Sequence, residues 1–174
     1  MTTQVFEFSI IASGLDPKAD DFESRFYDAG CNDATVSFQK GHIILDFSRE
    51  ASSIEEAIAS ASECVEKSGG KIDRIEPDPL VSLAEIAERG NMTRAAISLY
   101  ASGQRGEGDF PSPVARVTSE SSLWEWASVA RWLYSHEKIS EADLTIAQVV
   151  QDANEAIKMK VPVSQRLRER LQAA

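Results

Sequence analysis

The stretch SLAEIAERGNMTRAAISLYAS, Ser82–Ser102, reads as two short helices joined by a turn. Ser82 followed three residues later by Glu85 is an S-x-x-E capping box, so a helix opens at Leu83. That helix runs to Arg89 and presents Leu83, Ile86 and Ala87 on one side, with the small Ala87 where a second helix must cross closely. Gly90-Asn91 permits the left-handed backbone of a tight turn, and the apolar Met92 fits between the helices. Thr93 caps a second helix, Arg94 to Ser102. Ile97 and Tyr100 face inward, which leaves Arg94, Ala95, Ser98 and Ala101 outside. No acid occurs between Thr93 and Arg105, although the chain holds 28.

Two helices joined by so short a turn have helix-turn-helix geometry, whose second helix enters the major groove of DNA. A small or basic outer face lets the backbone approach the groove while Arg94 reaches a guanine edge or a phosphate. The competing reading is a plain helical hairpin in a core, which the same apolar spacing would give. The following residues favour the first reading. Gly103-Gln104-Arg105-Gly106 is a flexible basic turn. Then come DFPSPV (Asp109–Val114), a β-like run Ala115–Thr118, a turn rich in serine (Ser119, Ser121, Ser122) and Leu123-Trp124-Glu125. A helix Ala127–Tyr134 follows, with Val129, Trp132 and Leu133 inward. The β-hairpin is a candidate wing. Trp124 and Trp132 suit core packing better than base stacking, and Trp126 is expected partly exposed.

Ile86-Ala87-Glu88, Thr93–Ile97, Phe110–Val114, Trp124 and Val129–Leu133 together resemble the AlpA-type, excisionase-like branch of the MerR-related winged helix-turn-helix regulators. The resemblance covers residues 81–133. It implies sequence-specific binding of double-stranded DNA, transcriptional control, a recognition helix in the major groove and a wing on the minor groove or backbone. On that reading Arg94, Ala95 and Ser98 face bases, and Thr93, Arg105 and Arg116 contact phosphates. Two departures stand out. The Gly-Val-Ser turn of the family is here Asn91-Met92-Thr93, which Asn91 should tolerate. The loop Ala101–Asp109 is longer and carries Glu107 and Asp109, which work against phosphate contact there.

Upstream, strands and helices alternate. Val5–Ala12 is β-branched and aromatic, hence a strand. Pro17 and Asp20-Asp21 open a helix through Ala29 that Gly30 stops, with Phe22 and Phe26 on one face. Ala34–Gln39 and Ile43–Phe47 form a hairpin about Lys40-Gly41. Ser52 or Ser53 caps a helix with Glu55 and Glu56 in its first turn and Ile54, Ala57, Ile58, Ala61 and Val65 inward. Gly69-Gly70 ends it, and Lys71–Ile75 is a last strand. The order βαββαβ suggests a ferredoxin-like sandwich. The acids of this half are expected on solvated surfaces, and His42 at the surface or a sheet edge.

Pro77-Asp78-Pro79 can continue neither helix nor strand. The expected organisation is therefore an α+β chain: a ferredoxin-like domain at 1–76, a linker at 77–80, a winged helix-turn-helix at 81–134 and a C-terminal helical extension at 135–174. In the extension, a helical stretch interrupted near Ser140 carries Leu144, Ala147, Val150 and Ile157 at helical spacing. After Pro162, the segment SQRLRERL (Ser164–Leu171) is a short basic amphipathic helix whose Arg166, Arg168 and Arg170 do not share a face. It is expected to be a solvated terminal helix, with a dimerisation arm as the alternative, because helix-turn-helix readers bind paired half-sites as two-fold dimers.

The net charge of -10 is unevenly spread: residues 1–79 carry sixteen acids and seven bases, and residues 80–174 are near neutral. The second half can thus present a local arginine surface, with weak non-specific affinity for DNA. No apolar run is long enough to cross a bilayer and no signal peptide is apparent, so a cytoplasmic protein without membrane association is the default. Cys31 and Cys64 are expected to be two semi-buried thiols, not a disulfide or a zinc site. There is no phosphate-cradling glycine loop and no metal-spaced His/Cys set, and His42 and His136 lie far apart in sequence. An enzyme, a metal and a cofactor are not expected. The leading expectation is a DNA-binding regulator; a homodimer is one possible partner state, and the sequence leaves the oligomeric state open. The alternative is an antitoxin or adaptor whose acidic N-terminal domain binds a protein partner while the helix-turn-helix autoregulates.

Overall fold

A computed structural model describes residues 2–174. The chain is α+β and separates into two compact units. The first comprises the chain up to Pro77 together with Val149–Ala174, and the second is Asp78–Gln148. Residues 135–174, expected as an extension of their own, are thus divided between the two.

The first unit is built on an antiparallel sheet of β1 (Gln4–Ser13), β2 (Ala34–Gln39), β3 (His42–Ala51) and β4 (Lys71–Glu76), in the order β2-β3-β1-β4. Helix α1 (Phe22–Asp28) follows β1, and α2 (Ile54–Lys67) follows β3. Alternation sets the buried face: Phe6, Phe8, Ile10 and Ala12 from β1 and Ile43, Leu45 and Phe47 from β3. Phe8 lies opposite Phe47 in the register, and their rings stack with centroids 5.3 Å apart. The expected inner face of α2, Ile54, Ala57, Ile58, Ala61 and Val65, is buried, and Ser53 caps the helix by accepting from Glu56 N–H at 3.2 Å. β3 is longer than its apolar core predicts. Its tail Ser48-Arg49-Glu50-Ala51 continues the pairing with β1, and Arg49, in an inward position, is neutralised by a two-point bond to Asp33 (2.8 and 2.7 Å) and by Gly30 O at 2.7 Å. Burial pushes the Asp33 carboxyl up, but the hydrogen bonds and charge of Arg49 outweigh it and hold the carboxyl below its ordinary value.

Two expectations fail in this unit. Cys31 and Cys64 are joined in a disulfide, with Cα atoms 5.7 Å apart, not two thiols. Folding brings the residue after Gly30 against the inner side of α2, a proximity that 33 residues of sequence separation conceal. The C-terminal helix α7 (Val163–Ala173) is not solvated: it packs along α2, burying Val163 and Leu167. Its arginines meet acids expected to be free. Arg168 bonds Glu56 at 2.9 Å and also Glu63, while Arg170 reaches Glu55 at 3.4 Å and Asp152 at 2.6 Å. Those bonds to Glu56 and Glu63 hold the Arg168 guanidinium charged even more firmly than usual.

The second unit begins with β5 (Leu80–Val81), which pairs antiparallel with β6 (Trp124–Glu125), so Leu80 belongs to a strand and not to a linker. Between them lie α3 (Leu83–Arg89) and α4 (Arg94–Ala101); α5 (Trp126–Ser135) follows β6. Helix α6 (Glu141–Lys158) opens at Ser140, whose hydroxyl accepts from Asp143 N–H at 3.1 Å; the division between units falls inside it. Val81, Ile86, Ala87, Ile97, Trp124, Trp126, Val129, Ala130, Trp132 and Leu133 form one core. Trp126, expected partly exposed, is buried there with the Arg89 guanidinium 4.9 Å above its ring. The expected run Ala115–Thr118 is not a strand. A single antiparallel bridge joins Ala115 to Leu123, and the chain turns at Arg116, where φ is 52° and Ser119 N–H returns to Arg116 O at 3.0 Å. Among the described residues no helix is long and apolar enough to cross a membrane.

Candidate nucleic-acid interface

The capping box forms as its residues require: Ser82 Oγ accepts from Glu85 N–H at 3.3 Å, and Glu85 Oε2 accepts from Ser82 N–H at 2.7 Å. The Ser82 amide lowers the Glu85 carboxyl below its ordinary value, against a smaller opposing effect of burial. The turn divides its labour differently from the sequence reading. Asn91 takes the left-handed backbone, φ 50°, whereas Gly90 sits at φ −87°. Gly90 is needed for space: a Cβ there would stand 3.1 Å from Ile86 O and 3.2 Å from a Leu133 methyl. Thr93 then caps α4, its hydroxyl accepting from Ala96 N–H at 3.1 Å.

Helix α4 is anchored by one side and open on the other. Ile97 is fully buried, while Thr93, Arg94, Ala95, Ser98 and Leu99 are exposed. Arg94 and Ser98 lie one turn apart, as do Ala95 and Leu99, so they share the outer face. Leu99, 40% exposed, was not anticipated; its position one turn after Ala95 was the available signal. Ala101, expected outside, packs partly against the core.

Arg105 and Arg116 are also exposed but belong to different loops. The loop after α4 is less flexible than its glycines suggest. Gln104 and Arg105 N–H both donate to Leu99 O, at 3.0 and 3.2 Å. The Arg105 guanidinium lies 5.1 Å over the Tyr100 ring, and a Cβ at Gly106 would meet that ring at 3.0 Å. Tyr100 in turn packs edge-on against Trp132, centroids 4.7 Å apart. Asp109, half-exposed, accepts from Trp132 Nε1 at 3.1 Å and lies 3.8 Å from His136 Nε2. Arg116 sits at the head of the 116–122 loop, whose Val117 is 63% exposed. The six expected residues therefore fall into three on α4 with Thr93 at its cap, one arginine stacked on Tyr100, and one on a separate loop.

What the arrangement offers chemically is a cationic, acid-free outer surface on one short helix. A helix with an arginine and no acid in its first turn has a positive N-terminal end. Comparison with protein-family models, curated proteins and solved structures returns no match.

Proposed function

We propose that residues 81–134 are a winged helix-turn-helix domain that binds double-stranded DNA in a sequence-specific way, and that the chain is a transcriptional regulator of the cytoplasm. One observation carries the reading: α4 buries Ile97 completely yet leaves Arg94, Ala95, Ser98 and Leu99 open to solvent, with no acidic residue among them. A helix held from behind and bare in front is what the major groove requires. Arg94 reads a base edge; Thr93, Arg105 and Arg116 take phosphates. The loop closed by Ala115 and Leu123 is the wing, reduced to one bridge. The resemblance to the AlpA-type regulators supports the same assignment. The strand order β2-β3-β1-β4 with its intervening helices supports a ferredoxin-like first domain, a fold that by itself assigns no activity.

Selection of bound duplexes from a random pool tests this. Enrichment of a short motif, bound with an affinity that falls as salt rises, is expected. An unenriched pool and no retention of duplex at low salt would contradict it. A second reading, an antitoxin or adaptor, draws on the exposed acids Asp16, Asp20, Glu23 and Asp28 of the first unit. It predicts a basic protein that copurifies with the chain and is released by salt.

A further inference from the structure

The sheet of the first unit has two edges, and they are treated differently. On β4, both backbone groups of Ile75 are occupied by one side chain: Asn154 Oδ1 accepts its N–H at 3.0 Å and Asn154 Nδ2 donates to its C=O at 2.9 Å. That strand also carries Lys71, Asp73, Arg74 and Glu76. Charges and an occupied backbone are how proteins keep an edge from pairing. β2, the other edge, has no charged residue along Ala34–Gln39 in a chain of net charge -10, and its Phe38 is 47% exposed.

We propose that β2 pairs antiparallel with β2 of a second copy of this chain, with Val36 on the two-fold axis. The register follows from the hydrogen-bond alternation. Ser48 N–H donates to Asp33 O at 3.1 Å, and residues two apart repeat the pattern, so Thr35, Ser37 and Gln39 bond to β3. Ala34, Val36 and Phe38 then direct backbone groups outward. Ala34 N–H already returns to Cys31 O at 3.2 Å, which leaves its C=O free. With Val36 facing Val36 of the second copy, these two exchange both N–H···O bonds, and each Phe38 N–H donates to the Ala34 C=O opposite.

The side chains agree with that register. Ala34, Val36 and Phe38 pair with Phe47, Leu45 and Ile43, so they lie on the buried face of the sheet. Between β2 and α1 runs an open groove of about 600 Å³, lined by Phe26, Tyr27, Cys31, Ala34 and Val36 among others, with Tyr27 66% exposed. The pairing sets Phe38 of the second copy beside the small Ala34, at this groove. Each copy thus supplies one phenylalanine and one groove, as an isologous contact demands. The interface belongs to the first unit alone, so it stands or falls independently of DNA binding.

Sedimentation of the full chain gives the first readout, and twice the chain mass at micromolar concentration is expected. Val36→Lys sets two ammonium groups against each other on the axis and weakens self-association by roughly tenfold or more, because like charges juxtaposed across an interface cost several kcal/mol. Val36→Cys reads the register without depending on that variant's fold: across a hydrogen-bonded pair the Cα atoms stand about 5.5 Å apart, within disulfide range. Oxidation should convert it to a covalent dimer while Val5→Cys, on β1 and more exposed than Val36, stays monomeric on a non-reducing gel. A monomer at every concentration overturns the proposal. So does a dimer that Val36→Lys, still folded by circular dichroism, leaves intact, or cross-linking no better at position 36 than at position 5.

Discussion

Asp109 accepts a hydrogen bond from Trp132 Nε1 at 3.1 Å, tying the loop after α4 to the buried face of α5. Trp132 also stacks on His136, centroids 4.0 Å apart, and meets Phe110 and Tyr100 edge-on. The Asp109 carboxylate therefore holds the loop after α4 to the aromatic cluster around Trp132. Replacing it leaves a buried indole N–H unpaired. Asp109→Ala should lower unfolding free energy by about 1–3 kcal/mol, the usual cost of an orphaned buried donor, as measured by urea denaturation followed through tryptophan fluorescence. An unchanged midpoint would show the bond to be idle.

Gly90 offers a sharper test of the turn. Its φ is open to any residue, so a loss on substitution reports space alone. The Cβ of Gly90→Ala would lie 3.1 Å from Ile86 O and 3.2 Å from a Leu133 methyl, so its neighbours must give by a few tenths of an ångström. A destabilisation of about 1–3 kcal/mol is expected, as for other overpacked positions. Asn91→Gly, by contrast, should be neutral or mildly stabilising in thermal melts, because glycine adopts the left-handed conformation freely. The reverse pattern would place the strain at the wrong residue.

The Cys31–Cys64 bond closes a long loop between α1 and α2. Replacing both by serine should cost about 2–5 kcal/mol, and reduction by a thiol should move the melting temperature in the same direction. Equal melting temperatures with and without reductant would contradict the pairing.

Acid should weaken the protein through two carboxylates held below their ordinary values, Asp33 (3.8) and Glu85 (4.5). Each binds its proton less readily folded than unfolded, so its stabilisation is complete above the unfolded value and disappears as pH falls through the folded one. Urea midpoints should be level above about pH 5.5 with respect to these groups and fall below about pH 4.5. Glu85→Gln should flatten part of that fall. A profile unaffected by that substitution would mean that the capping box carries no charge-dependent stability.

Much of the architecture was legible because local chemistry and tertiary demand agree. The capping box, the Thr93 cap, the Gly69-Gly70 stop and the alternating strands are each dictated by neighbours a few residues away. What escaped notice depends on distant partners. The end of β3 reads as polar until Asp33 is seen to neutralise Arg49. Glu55, Glu56 and Glu63 read as solvated until α7, a hundred residues on, brings Arg168 and Arg170 to them. The turn at Arg116 runs against the β-branched residues Val114, Val117 and Thr118, and no local rule foretold a positive φ at an arginine. At the interface, the outward set Arg94, Ala95 and Ser98 followed from helical spacing. Arg105 stacked on Tyr100 did not, because it requires the loop to fold back.

On the proposed function the open face of α4 reads DNA, and Arg94 is the residue on which that reading turns. The decisive measurement is equilibrium binding of the wild type and of Arg94→Ala to the selected duplex and to duplexes altered at single base pairs. Arg94→Ala is expected to lose on the order of 1–3 kcal/mol on the selected duplex and little once one particular base pair is changed. Equal affinities of the two proteins for every duplex, or no binding by either at low salt, would contradict it.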